Sequence, residues 1–243
     1  MTLLEYFDRV SVIHLPDRVD RFRALKRELR CLGIDLHDPK VQVPHAPKPG
    51  DANGFPSKGV YGNFLSHYEI LKGALHDGLR TVWVLEDDAI FSRRMLRQQE
   101  QIVEFLSQTP WDLCYFGHGL KCELVNMAEG LVRYSGPFRH AHCYAASSQV
   151  LARLVSYLEE TMDNPPGHPR GGRMYVDGAF SLFRRWNPDV VSLVANPLMC
   201  RQKGCRSSLG AVRWYDQYRL TATLATTARW VRDECWKRLG WPA

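Results

Sequence analysis

Residues 81 to 85, TVWVL, form a run of apolar and β-branched side chains that ends abruptly in three acids, Glu86, Asp87 and Asp88. Such a run reads as a buried strand. The same kind of run recurs in RVSVIHL (9 to 15), DLCYFG (112 to 117) and AHCYAAS (141 to 147). Between these runs the spacing becomes helical: Phe22, Leu25, Leu29 and Leu32 in DRFRALKRELRCLG, then YGNFLSHYEILKGALHDG up to Gly78, a stretch near Leu96 to Leu106, and QVLARLVSYLEE with Ser147 or Ser148 as its cap. KVQVPHA is a further strand before the Pro- and Gly-rich segment from Pro44 to Gly59, and a turn-linked pair is expected around Leu124 and Val132. Strands alternating with helices predict an α/β fold with a mostly parallel central sheet. MDNPPGHPRGGR (162 to 173) is expected to be a mobile loop over a site.

At 243 residues, 45% hydrophobic and 24% charged, the chain is long enough for one large core plus an appendage. We expect a domain over 1–210 and a basic, Trp-rich helical extension over 211–243 packed on it. The opening MTLLEYFDRV carries Glu5, Asp8 and Arg9 where a signal peptide needs apolar residues, so a cytoplasmic location is expected. The seven cysteines form no C-x-x-C pair and read as free thiols rather than zinc ligands. The net charge of +6 is unevenly placed: from residue 201 onward nine Lys or Arg stand against three acids, 9 − 3 = +6. Trp214, Tyr215, Tyr218, Trp230, Trp236 and Trp241 interleave with these cations. Packing on the main domain, peripheral contact with the inner face of a membrane, and binding of a polyanion, nucleic acid included, all suit such a segment.

Clustered carboxylates repel one another unless a cation or a proton is shared among them. Ligands of open α/β sheets collect at the carboxyl ends of the strands, which is where Glu86, Asp87 and Asp88 stand. A Walker B strand also ends in acids, but no G-x-x-x-x-G-K-[ST] accompanies it. A receiver domain would carry its acids after the first strand, not some 85 residues in. Two readings remain open: a D-x-D metal site of a nucleotide-sugar transferase, holding Mn2+ or Mg2+ against a diphosphate, and a plain solvated turn. By strand alternation Asp87 points away from Glu86 and Asp88.

The order VIHLPDRVDRFRAL, GVYGNFLSHYEILKGAL, VWVLEDDAIFS, HAHCYAASSQVLARL, VDGAF and NPLMCRQKGCRSS, from about residue 10 to about 209, resembles glycosyltransferase family 25. That family includes lipooligosaccharide and collagen galactosyltransferases. The resemblance implies a GT-A-like fold, a nucleotide-sugar donor such as UDP-galactose, Mn2+ dependence and inversion at the anomeric carbon. It implies that Asp88 and Glu86 hold the metal and that Ser66 and His67 face the donor. Gln202 matches a polar position beside that donor, and Arg206 is one of several cations able to clamp phosphate. Arg18, Arg21 and Asp87 are further donor-binding candidates, with surface charge and helix capping as their competing readings. Asp177 is the candidate base for the acceptor hydroxyl, with an N-cap to a helix near Gly178 as the alternative. A hexose transferred to a glycan hydroxyl is the expected reaction. A non-catalytic module for anionic glycan or nucleic acid is the rival.

Overall fold

The computed structural model describes residues 1–120, 124, 127–137, 139–203, 227–229 and 231–237. Its elements run α1 (Leu3–Tyr6), β1 (Arg9–Ile13), α2 (Val19–Cys31), β2 (Val41–Gln42), α3 (Lys58–His76), β3 (Thr81–Glu86) and β4 (Ala89–Phe91), then α4 (Arg93–Arg97), α5 (Gln99–Gln108) and β5 (Leu113–Gly117). They continue with β6 (Gly130–Arg133), β7 (Cys143–Ser147), α6 (Ser148–Asp163), α7 (Val176–Trp186), β8 (Ser192–Asn196) and β9 (Cys200–Gln202). Among the described residues the main sheet has the order β2-β1-β3-β7-β5-β8-β6, and β4 pairs with β9 in a separate ribbon.

Five strands of the main sheet run one way. β7 lies antiparallel to both β3 and β5, and β6 antiparallel to β8. The expected mostly parallel sheet is thus present, with β7 reversed at its centre. That reversal brings the start of β7 beside the end of β3, so the Glu86 N–H donates to the His142 carbonyl at 2.8 Å.

The continuous apolar runs are explained by two cores, one per face. Val82, Val84, Tyr115 and Tyr144 face α3, α6 and α7, while Trp83, Leu85, Phe116 and Cys143 face the side of α1, α2 and α5. Strand periodicity then extends past the core: Glu86 continues the α3 face, and Asp87 turns to the α2 face. The Ser57 hydroxyl accepts the Val60 N–H to start α3, and Gly78 at φ +65° lets the chain turn back into β3.

Several local expectations change. Ser147 stands at the N-cap of α6 without its hydroxyl capping the helix. The segment around 164 to 173 is fastened to α6, with the Tyr157 hydroxyl donating to the Arg170 carbonyl at 2.7 Å and Arg170 pairing with Glu160 at 2.8 Å. It is a strap along a helix rather than a loop over the acids. Of the turn-linked pair, the Val132 strand is β6, and Leu124 lies in a turn. Cys31, Cys114, Cys143, Cys200 and Cys235 are free thiols; Cys122 and Cys205 lie outside the described residues. Residues 227–229 and 231–237 are helical, with Trp236 buried against the domain. No helix among the described residues is long and apolar enough to cross a membrane.

Candidate functional site

Glu86, Asp87 and Asp88 line a cavity of about 190 Å³ at the carboxyl ends of β1 and β3. Its other walls are Ile13 and Leu15, the Ala46–Pro47 turn, Gly62, Asn63 and Ser66 of α3, Arg21 of α2, and Gln202 and Lys203 at the end of β9. Gly62 is where helix and turn come closest, since a Cβ there would lie 2.8 Å from the Pro47 carbonyl oxygen.

Glu86 is the best-held acid. Its Oε1 accepts from Asn63 Nδ2 at 3.1 Å and faces His67 Nε2 at 3.4 Å, and its Oε2 accepts from Gln202 Nε2 at 3.0 Å. Burial alone would raise this carboxyl, but the hydrogen bond and charge of His67, with His142 and Asn63, hold it down at about 2. Asp88 is the opposite case. Burial, the Glu86 charge and Asp87 push it up from 3.8 to about 7 against the attraction of Arg21, and its Oδ1 is buried with no hydrogen-bond partner among the described residues. Arg21 offsets only part of the cost of burying this acid, and the Oδ1 side is left open to a further cation.

Asp87 does point the other way. His14 Nδ1 meets its Oδ2 at 2.8 Å, and Arg21 Nη1 reaches its Oδ1 at 3.2 Å. Arg21 also reaches Asp88 Oδ2 at 3.3 Å, so it balances the acids rather than standing open to a phosphate. The expectation of a diphosphate contact is corrected to that extent. Arg18 pairs with Asp20 at 3.1 Å on the surface and does not line the cavity.

His67 is fully buried and has no direct reach to a ligand in the cavity; its Nδ1 meets the Tyr144 hydroxyl at 3.1 Å. The Glu86 carboxylate can only accept, so the Nε2 side of His67 donates to it. The expected donor contact is therefore corrected to an indirect one, through Glu86. Ser66 does line the cavity, although its hydroxyl donates back to the Gly62 carbonyl at 2.8 Å. Gln202 lines it and fastens Glu86. Arg206 lies outside the described residues.

Asp177 is not among the cavity residues. It occupies the first turn of α7, which begins at Val176 with Tyr175 as its N-cap, so the N-cap alternative is the reading that is corrected. Its Oδ2 accepts the His140 N–H at 2.9 Å and its Oδ1 accepts the Gly178 N–H at 2.9 Å. His140 has φ +69°, and Asp177 holds that left-handed turn before β7.

Two residues escaped the sequence reading. His14, at the end of β1, carried no signal apart from its place in a strand. His142 is the cross-strand neighbour of Glu86, and burial pushes its imidazole down to about 4. Its ring fills the space above Gly117, where a Cβ would lie 2.3 Å from Nε2. Only the reversal of β7 makes it a neighbour of the acids.

Among the described residues no three His, Cys, Asp or Glu converge as a metal cage. Glu86 has both oxygens engaged, so among the described residues Asp88 Oδ1 is the carboxylate oxygen of the triplet left for a cation. Metal held jointly by Asp88 and Glu86 would require Gln202 to yield.

An α/β domain with a carboxylate-lined cleft at its strand ends is the class that the fold and site define. The chain's relatives narrow it. No family model matches. Over 103 residues, 42% of this chain, it is 36% identical to a protein of Bos taurus named probable inactive glycosyltransferase 25 family member 3. Over 130 residues, 46% of the chain, it is 34% identical to procollagen galactosyltransferase 1 of Danio rerio. The matches span 16% and 21% of those relatives' lengths. Among solved structures, a glycosyltransferase involved in glycosylation of the major capsid of PBCV-1 aligns over 93% of this chain and 97% of its own at 11% identity and TM-score 0.46. A UDP-glucose pyrophosphorylase complexed with UDP-glucose aligns over 92% and 81% at 11% identity and TM-score 0.43. The sequence resemblance to glycosyltransferase family 25 is thus matched by named members of that family.

Proposed function

We propose that the chain is a GT-A-like glycosyltransferase that binds a nucleoside-diphosphate sugar in the acid-lined cavity and moves its hexose, galactose by preference, to a hydroxyl group. The observation that carries this reading is the pairing of an ionised, triply held Glu86 with an Asp88 whose buried Oδ1 has no hydrogen-bond partner among the described residues, at the ligand-binding end of the sheet. The named relatives support the sugar chemistry. A divalent cation, Mn2+ or Mg2+, at Asp88 would supply charge neutralisation for the leaving diphosphate. The chain's own residues do the remaining work. Glu86 stays anionic and fixed beside the sugar, Ser66 and Gly62 shape the wall, and Lys203 adds positive charge at the rim. Asp177 takes the acceptor proton in this reading, as the acceptor oxygen attacks the anomeric carbon and inverts it. A lipooligosaccharide-type glycan is the acceptor we favour, reached from the cytoplasm at the membrane surface.

A second reading has its own observation. Arg21 spans Asp87 and Asp88 at 3.2 and 3.3 Å, close to where a cation would stand, and the Bos taurus relative is named probable inactive. On that reading the domain binds a glycan or nucleotide without turnover. A panel of nucleotide sugars assayed for nucleoside-diphosphate release, with Mn2+ or with EDTA, separates the two. Release from one UDP-hexose in Mn2+ but not in EDTA supports the transferase. Nucleotide binding with no release from any donor, in the presence of glycan acceptors, supports the binding module.

A further inference from the structure

The ribbon of β4 and β9 separates the acid-lined cavity from the helical segment at 231–237. A strand presents successive side chains to opposite sides, and β9 uses both. Gln202 faces inward and donates to Glu86 Oε2 at 3.0 Å. Arg201 faces outward, buried, and is paired with the equally buried Asp233. The Trp236 ring lies over its guanidinium at 5.0 Å. The next residue, Lys203, extends the ladder, its N–H donating to the Asp88 carbonyl at 2.6 Å. The partner strand is tied to the same helix by another route: Lys237 pairs with Glu28 of α2, whose Oε2 accepts the Phe91 N–H of β4 at 3.3 Å. Both strands of the ribbon, of which β9 lines the cavity, are thus anchored from behind by one helical segment near the C-terminus.

We propose that Asp233 and Trp236 are positioning residues for the cavity, holding Arg201 so that Gln202 and Lys203 stand against Glu86 and Asp88. The inference rests on the reading of that cavity as the donor site. It gives the basic C-terminal segment a task beyond packing. The helix sets the register of the strand that fastens the central carboxylate. Without the Asp233 charge, Arg201 is a buried cation without a counter-ion and must move toward water, taking β9 with it.

Hydrogen exchange on the full chain tests this without any ligand. In Asp233→Asn, and in the milder Trp236→Ala, amides of 86–92 and 200–203 should exchange at least tenfold faster, while those of 9–13 and 113–117 keep wild-type rates. Asp233→Glu should restore the slow exchange. If Asp233→Asn loosens the control strands too, Trp236→Ala decides. Faster exchange at 231–237 with wild-type rates at 86–92 and 200–203 would overturn the proposal. A second readout is UDP affinity by calorimetry in Mn2+, expected to weaken at least tenfold in both variants, about 1.4 kcal/mol. Equal affinity in folded variants counts against the positioning role. A wild-type chain that binds no UDP counts instead against the donor-site reading, and the exchange rates still decide the positioning.

Discussion

Replacing Asp88 with Asn should abolish donor turnover yet make the protein more stable in the absence of divalent metal. Asp88 is raised from 3.8 to about 7, so the folded state binds its proton more tightly than the unfolded chain does. The sign follows from linkage: stability falls as pH rises from about 4 to about 7 and the full penalty is present above 7. A carboxyl moved that far carries a penalty of about 4 kcal/mol, at about 1.36 kcal/mol for each tenfold change in proton affinity. That penalty is already net of the Arg21 attraction, so Asn, which stands in for the neutral acid, removes all of it, a gain of up to about 4 kcal/mol. For a chain of this size that is a rise of up to about 8 to 16 °C in Tm. The assay is thermal unfolding in EDTA at pH 5 and pH 8, with and without Mn2+. His142, held down to about 4, favours pH 8 in both proteins, so the expected signature is the difference between them: from pH 5 to pH 8 wild type should lose stability relative to Asp88→Asn, and only wild type should regain it with Mn2+. If the Asp88→Asn variant proved less stable than wild type at pH 8 in EDTA, the reasoning would be refuted, because the carboxylate would then be a stabilising partner and not an uncompensated charge.

Glu86 behaves in the opposite sense: its carboxyl sits at about 2, so the stability it contributes is complete above about 4.5 and is lost only as pH falls toward 2. His67→Phe should remove that support, cut turnover at least tenfold and move the acid limb of the pH–rate profile upward; an unshifted limb would show that His67 does not act through Glu86. Asp177→Asn should slow transfer by about 10² to 10⁴ with donor affinity kept, whereas wild-type rates with a lowered Tm would leave Asp177 only as the holder of the His140 turn. Lys237 is engaged with Glu28 inside the domain, whereas Arg232 is half exposed and pairs with Asp233 at 3.2 Å, so Arg229 and Arg232 are the pair tested for recruitment to an anionic surface. Changing these two to Gln should weaken binding to anionic liposomes at low salt, and equal binding would assign the segment to packing alone.

The parts of the molecule legible in sequence were those set by periodicity. The apolar runs marked the buried strands, and strand alternation put Glu86 and Asp87 on opposite faces, as found; that the sheet is covered on both faces emerged only in the structure. Strand direction leaves no such trace. AHCYAAS reads the same whether parallel or antiparallel, and the neighbours that define the site depend on its reversal. His142 was therefore invisible, and so was the burial of His67, because a helical histidine carries no mark of which way it faces. The short β4 and β9 strands lie below the length at which a pattern can be recognised, yet β9 supplies Gln202. The Pro- and Gly-rich composition at 162–173 suggested mobility, but Tyr157, Glu160 and Asn164 fasten that segment to α6. Composition described its backbone and not its partners.

The central claim is that the cavity bounded by Glu86, Asp88, Gly62 and Gln202 is the donor site. A crystal structure of the chain with UDP and Mn2+ tests it most directly. The account predicts the diphosphate in that cavity, with the metal on Asp88 and Arg21 drawn aside or retained against Asp87. Nucleotide bound elsewhere on the domain, with Asp88 still paired only to Arg21, would contradict it.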